Sequence, residues 1–327
     1  MKSFILFLLT FTLSSSVFAQ EIHKRTLLLM GSRFDITVVE EDSSTAHAYI
    51  DMAVDEIKRI ERLISSWDPD SQTSSINRNS GIKPVKVNPE LFELIERSVL
   101  LSKITDGAFD ISYASMDKVW HFDGSMTSMP SDEAINSSVS KVGYDNIEMN
   151  KDESTVFLKL PGMKIGFGGI GKGYAADKAK ELLIANGVSS GIINASGDMA
   201  TWGKQPNGEE WKVAITNPLN KNASFALLPI SERAVVTSGD YEKFVSLNGV
   251  RYSHIIDPRT GYPVTGIISA TIFAPKAEIA DALATSVFVL GVEVGLDRIN
   301  QLPDIECIII DEEGNIFTSN NIQIDSK

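Results

Sequence analysis

The chain has 327 residues, 43% of them hydrophobic and 8% aromatic, enough for one large domain or two closely packed subdomains without covalent staples. A formal net charge of −13 argues against a nucleic-acid partner, whose phosphates need clustered Lys and Arg, and against anionic membrane surfaces. The single cysteine, Cys307, excludes an intramolecular disulfide.

At the start, Met1-Lys2, an apolar run from Phe4 to Leu13 and Ser14-Ser15-Ser16-Val17-Phe18-Ala19-Gln20 form a secretory signal peptide with cleavage after Ala19. Residues 1–19 are therefore expected to leave, and residues 20–327 to act as an exported, soluble protein of the periplasm. The apolar run falls short of the roughly 20 residues a membrane-spanning helix needs, and no later stretch reaches that length. No cysteine follows it to carry a lipid, so no stable membrane anchor is expected.

Residues 24–40 alternate around Leu27, Leu29, Phe34, Ile36 and Val38, interrupted by Met30-Gly31-Ser32, which predicts a strand pair or a bulged strand. From Ser44 to about Ser65 the spacing of Ile50, Val54, Ile57 and Ile64 predicts a helix that stops before Trp67-Asp68-Pro69. A second helix is capped by Asn88, opens on Pro89 and ends at Asp106-Gly107. Strands at 155–160 and 191–194 flank a glycine-rich turn and a helix over 174–185, a local βαβ pattern. Further strands fit 211–215, 225–228, 234–237, 269–273 and 307–310. Hairpin-length connections among these predict an α+β fold with mixed or antiparallel sheets flanked by helices, not a doubly wound parallel sheet. Cys307, in the apolar run Ile305 to Ile310 with nothing basic beside it, reads as an inert buried thiol.

Three segments carry candidate chemistry. The first, Lys164 to Tyr174, spaces Gly166, Gly168 and Gly171 like a dinucleotide fingerprint, but no acidic residue closes the next strand. It also nearly matches a P-loop, yet Gly173 stands where Ser or Thr would hold magnesium. Glycines before a helix N-terminus, with Lys172, suit a pyrophosphate; they equally suit close packing of a helix. The second segment puts Asp281 and Thr285 four apart, on one face of a helix over 277–290. Two such oxygens select a hard cation over zinc, although the same pair occurs on ordinary helices. The third, Tyr252 to Pro263, sets His254 at a strand end before dense turn chemistry. An imidazole there can take a hydroxyl proton near neutral pH or simply bond the turn. His23, His47 and His121 have no comparable company and read as surface or loop residues.

In order along the mature chain, these segments resemble the ApbE-like FAD:protein FMN transferases. The matching stretches are Met30-Gly31-Ser32, Ser66 to Ser71 leading to Ile76-Asn77, Asp106 to Asp110, Gly168 to Asp177, Thr237 to Tyr241, Tyr252 to Pro263, and Ala280-Asp281 through Thr285. The resemblance implies a single T-fold-like domain over 20–327, of two intimately packed subdomains. It implies that the FMN moiety of FAD moves to a Ser or Thr hydroxyl of an acceptor protein, with AMP released. His254 would be the general base, and Asp281, Thr285 and the Gly169 carbonyl would hold Mg2+. Lys172 would contact FAD, with Met30, Trp67, Ala108, Phe109, Asp110 and Ile255 lining its site. The acceptor would be an exported or membrane redox protein. A metal-dependent FAD pyrophosphatase and a non-catalytic flavin-binding protein are the alternatives. Three positions depart from the family pattern: Trp67 stands where the family often has Tyr, a mild change because either ring can stack, Gly166 where many relatives carry Asp, and Ser196 where glycine is common. A polar nucleotide contact is then lost or supplied elsewhere, and the backbone at Ser196 is expected to be narrowed.

Overall fold

The computed structural model describes residues 20–217, 220–239 and 244–322, with side chains left undescribed over 216–226. The predicted signal peptide at 1–19, and Asp240 and Tyr241 of the 237–241 motif, lie outside the described residues.

Strands β1 (Glu21–Leu29) and β2 (Ser32–Glu40) form a hairpin. Its two-residue turn takes Met30 and Gly31 to φ 50 and 67, the left-handed pair that matches strand twist. Helix α1 (Ser43–Ile64) is capped by Asp42, whose carboxylate accepts from Thr45 N at 2.7 Å, and its apolar stripe from Ala46 to Ile64 is buried. There follow α2 (Gln72–Arg78), β3 (Val85–Lys86), α3 (Pro89–Ile104), a 3-10 turn at Ile111–Ser115, α4 (Asp132–Ser138), β4 (Ile147–Asn150) and β5 (Thr155–Leu158). Next are α5 (Gly171–Ala185), β6 (Gly191–Ala195), β7 (Asp198–Trp202), β8 (Trp211–Asn217), β9 (Asn220–Ile230) and β10 (Ala234–Gly239). The chain continues through β11 (Phe244–Leu247), β12 (Val250–Ser253), β13 (Ile267–Ala274), α6 (Ala277–Leu290), α7 (Val292–Asn300), β14 (Glu306–Asp311) and β15 (Ile316–Thr318).

Eight strands make one sheet in the order β1-β2-β6-β7-β10-β13-β14-β15, and every pairing in it is antiparallel. The fold is thus α+β, as the hairpin-length connections predict. Helix α5 packs against both α1 and α6, and all three lie on this sheet. On the central strands side chains alternate between two cores: Val236, Ile272, Cys307 and Ile309 face the helices, while Val235, Phe273 and Ile308 meet Val213, Ile215 and Ile230 of the β8–β9 hairpin. Burial on both faces explains why β13 and β14, buried at every residue, are mostly apolar and do not alternate. Cys307 is fully buried there, and burial pushes its thiol up to about 12.

The local βαβ pattern is not realised. β5 pairs with β4 and β3 in a separate three-stranded sheet, whereas β6 lies between β2 and β7 in the large one. The short β4–β5 link closes a hairpin at little entropic cost, and Pro161-Gly162, with Gly162 at φ 77, then turns the chain away. Among the described residues no helix is long and apolar enough to cross a membrane.

Candidate active site

One wall of the site is the crossing of α5 and α6. The glycine segment divides its labour here. A Cβ on Gly173 would sit 2.2 Å from the Ala277 carbonyl oxygen, and one on Gly171 2.8 Å from Ile64, so both permit close packing. Gly168 meets nothing within 4 Å and faces a cleft, while a Cβ on Gly169 would lie 3.3 Å from Thr285 Oγ1. The opening turn of α5 is not vacant for a phosphate, because Gly173 N donates to Asp281 Oδ2 at 3.1 Å.

Asp281 is 4% exposed, with Asp198 and Lys172 beside it. The Lys172 ammonium is in direct contact with buried Asp198, at the start of β7. Burial opposes the lysine charge, but Asp198 and Asp281 hold its pKa above the ordinary value. One ammonium therefore serves two carboxylates. Burial, then Asp198, pushes the Asp281 carboxyl up to about 7. That surplus of negative charge is what a bound cation would neutralise. One turn on, Ser286 donates back to the Ala282 carbonyl at 2.7 Å, but Thr285 Oγ1 makes no hydrogen bond among the described residues. No group of three or more His, Cys, Asp or Glu side chains among the described residues is placed to hold a metal. The available set is one carboxylate, one hydroxyl and backbone oxygen, which fits a hard cation that retains water or substrate oxygens.

The opposite wall is local in sequence. β12 ends at Ser253, whose hydroxyl accepts from Ile255 N at 3.1 Å; Val264 N donates to Ile255 O at 3.0 Å, and Ile256 bridges Pro263. The turn between them is fastened at several points. Gly261 N donates to Asp257 O at 2.8 Å, Arg259 pairs with the Asp257 carboxylate at 2.7 Å, and Trp120 Nε1 donates to Gly261 O at 2.9 Å. Gly261 has φ 77 and lies against Ile135 and Val139, where a side chain would collide. His254 is thus presented half-buried from a stiff loop.

Between the walls is a cavity of about 220 Å³. It gathers His254, Ile255, Ala108, Phe109, Asp110, Gly169 and Thr285 from the expected set. Ala108 to Asp110 follow the reversal after α3 at Asp106 (φ 50) and Gly107 (φ 77). The Asp110 carboxylate accepts from Ser112 N at 2.7 Å and Tyr144 N at 2.8 Å, so it holds the loop while burial raises its pKa. Met30, Trp67, Lys172 and Asp281 do not line the cavity. Met30 Cε lies 3.8 Å from where a Gly171 Cβ would be, behind the opening turn of α5. Trp67 is 85% exposed, with Lys118 Nζ 5.5 Å from its ring centroid. Lys172 points into the protein, its charge used on Asp198.

Tyr113, Ile111, Ile256 and Pro258 also line the cavity, and Tyr113 carried no sequence signal beyond its place after Asp110. Gly166 also lines the cavity, and a Cβ there would stand 3.1 Å from Ala114 Cβ, so the position is closely packed against the turn after Asp110. Ser196 is exposed in the β6–β7 turn at φ 58, where its side chain carries backbone strain. His23 lies in β1, near Glu40 O at 3.2 Å, and not in a loop.

Comparison with known proteins decides the family. The ApbE family profile matches residues 30–309. The chain belongs to the ApbE family. It is 29% identical to the FAD:protein FMN transferase of Treponema pallidum, over 92% of this chain and 87% of that protein. It is 30% identical to one from Klebsiella pneumoniae, over 91% and 92%. The crystal structure of an ApbE protein from Thermotoga maritima aligns with a TM-score of 0.83 at 30% identity, covering 92% of this chain and 97% of that one. The flavin transferase ApbE of Vibrio cholerae gives 0.80 at 25% identity, covering 92% and 98%. The ApbE fold thus brings together two walls that are far apart in the sequence.

Proposed function

We propose that this ApbE-family chain is a Mg2+-dependent enzyme that moves the FMN moiety of FAD to a Ser or Thr hydroxyl of another protein, releasing AMP. The observation that carries the reading is the meeting of His254 with Gly169 and Thr285 around one cavity. Relatives covering nearly the whole chain bear the name FAD:protein FMN transferase, which supports the same chemistry.

His254 accepts the proton of the acceptor hydroxyl, the oxygen attacks the FMN-side phosphorus, and the bond to the AMP oxygen breaks. Asp281, Thr285 and the Gly169 carbonyl would hold Mg2+, which supplies positive charge to the pyrophosphate and the departing AMP. Lys172 keeps Asp198 ionically paired, so that Asp281 carries the surplus charge. Ala108, Phe109 and Ile255 form an apolar wall for FAD. A fixed pocket on both sides of the reacting phosphorus favours in-line displacement.

The leader sequence supports action in the periplasm on an exported or membrane redox protein. Recovery of a chain beginning at Gln20 by osmotic shock would agree; an intact chain in the cytoplasm would not. The transfer itself is tested by incubation with FAD, Mg2+ and a candidate acceptor, followed by denaturing electrophoresis and chromatography. The proposal expects flavin fluorescence on the acceptor band and one AMP per FMN transferred. Free FMN and AMP in equal amounts, with no labelled protein for any acceptor, would instead identify a pyrophosphatase.

A further inference from the structure

Neither α5 nor α6 caps its own N-terminus. Ile170 and Lys276, the preceding residues, make no side-chain cap hydrogen bond. Each helix borrows a carboxylate from the other. Asp281 of α6 accepts from Gly173 N at 3.1 Å, and Asp177 of α5 accepts from Ala277 N at 3.0 Å and Glu278 N at 2.9 Å. The two contacts run in opposite directions along the pair: 173 to 177 ascends α5 by about one turn while 281 to 277 descends α6. Such a crossed pair of caps fixes the axial register of antiparallel helices, because a slip of α6 breaks both ends together. Gly173 allows the approach, and Glu278, bidentate to Arg97 of α3 at 2.5 and 3.1 Å, braces the start of α6 from a third side.

Asp177 is 7% exposed and does not line the cavity, so it has no direct part in binding. Its influence passes along α6. Thr285 lies two turns after the capped residues, and Gly169 leads into α5, so the separation of these groups follows from how the helices are docked. We propose that Asp177 is a positioning residue that locks α6 onto α5 and thereby brings Asp281 and Thr285 into register with Gly169. The inference rests on reading those three residues as the metal site. An ordinary stabilising cap would lower melting temperature and nothing else; a positioning residue changes metal affinity beyond what lost stability explains.

The test uses the mature chain without FAD and Mn2+ as a paramagnetic probe, with free Mn2+ measured by electron paramagnetic resonance. Asp177→Ala is expected to weaken Mn2+ binding by about 10- to 100-fold and to raise KM for FAD in parallel. Its kcat at saturating metal and FAD should stay within about threefold of wild type, because His254 stands on the other wall. Asp177→Asn, which keeps one acceptor oxygen, should fall between the two. Val235→Ala, in the core under the β8–β9 hairpin, supplies a control that loses melting temperature but keeps wild-type Mn2+ affinity. Mn2+ affinity within about twofold of wild type in Asp177→Ala, or an equal loss in Val235→Ala, overturns the inference and leaves the metal site standing. Should the Ala variant not fold, Asp177→Asn decides by the same threshold. If Asp281→Ala binds Mn2+ as wild type does, the metal site itself is wrong and the inference goes with it.

Discussion

The two walls of the cleft solve different problems. The α5–α6 wall keeps the Asp281 and Asp198 carboxylates out of water and ties each to a partner remote in sequence, Gly173 N and the half-buried Lys172. The β12 turn holds His254 half-buried on a loop fastened largely by its own neighbours, from Asp257 to Val264. Fixed charge is strongest where the dielectric is low, but it must be assembled by tertiary contacts. A base that meets a hydroxyl on another macromolecule must remain reachable, and a short stiff turn is sufficient to aim it. Binding should therefore fail when the first wall is disturbed, and turnover when the second is.

The largest separation is expected from His254→Ala, which should lower kcat by about 10²- to 10⁴-fold while FAD and metal affinity stay close to wild type in calorimetry. On the other wall, Asp281→Ala should weaken Mg2+ binding by about 100-fold or more and carry FAD affinity down with it, read from the same titrations. Gly173→Ala attacks that wall through packing. Its methyl would meet the Ala277 carbonyl, and the denaturant midpoint should fall by the equivalent of about 3 kcal/mol. pH sharpens the contrast further. The Asp281 carboxyl is raised from 3.8 to about 7, so its contribution to the metal-free fold is full below 3.8 and lost as pH rises through about 7. A cation binds the ionised form, so metal affinity should climb about tenfold per pH unit up to about 7 and then level, as the metal-induced rise in melting temperature would show. Cys307 sets the floor of the series: with its thiol pushed up to about 12 inside β14, iodoacetamide at neutral pH should label it only in denaturant.

Locally coded features were legible in the sequence. The periodic stripe of α1 and the Asn88-Pro89 start of α3 follow from spacing and caps carried by the local chain. The turn carrying His254 was legible for the same reason, since its hydrogen bonds join near neighbours. The partner of β5 was not, because a strand pattern does not say which sheet a strand will join. The glycines of 166–173 gave no sign of their separate duties, and Lys172 gave no sign that Asp198 would claim its charge. Those assignments depend on residues brought close by the fold, as does the cap that Asp177 supplies to α6. The walls differ in legibility because one is made by the local chain and the other by its packing.

The central claim is that both walls serve one phosphoryl transfer. Its most direct test is the intact mass of an acceptor protein after incubation with FAD and Mg2+ and either wild type, His254→Ala or Asp281→Ala. The account predicts a shift of one FMN phosphoester with wild type alone, and partial recovery at high Mg2+ for Asp281→Ala but not for His254→Ala. An equal shift with wild type and His254→Ala would contradict it.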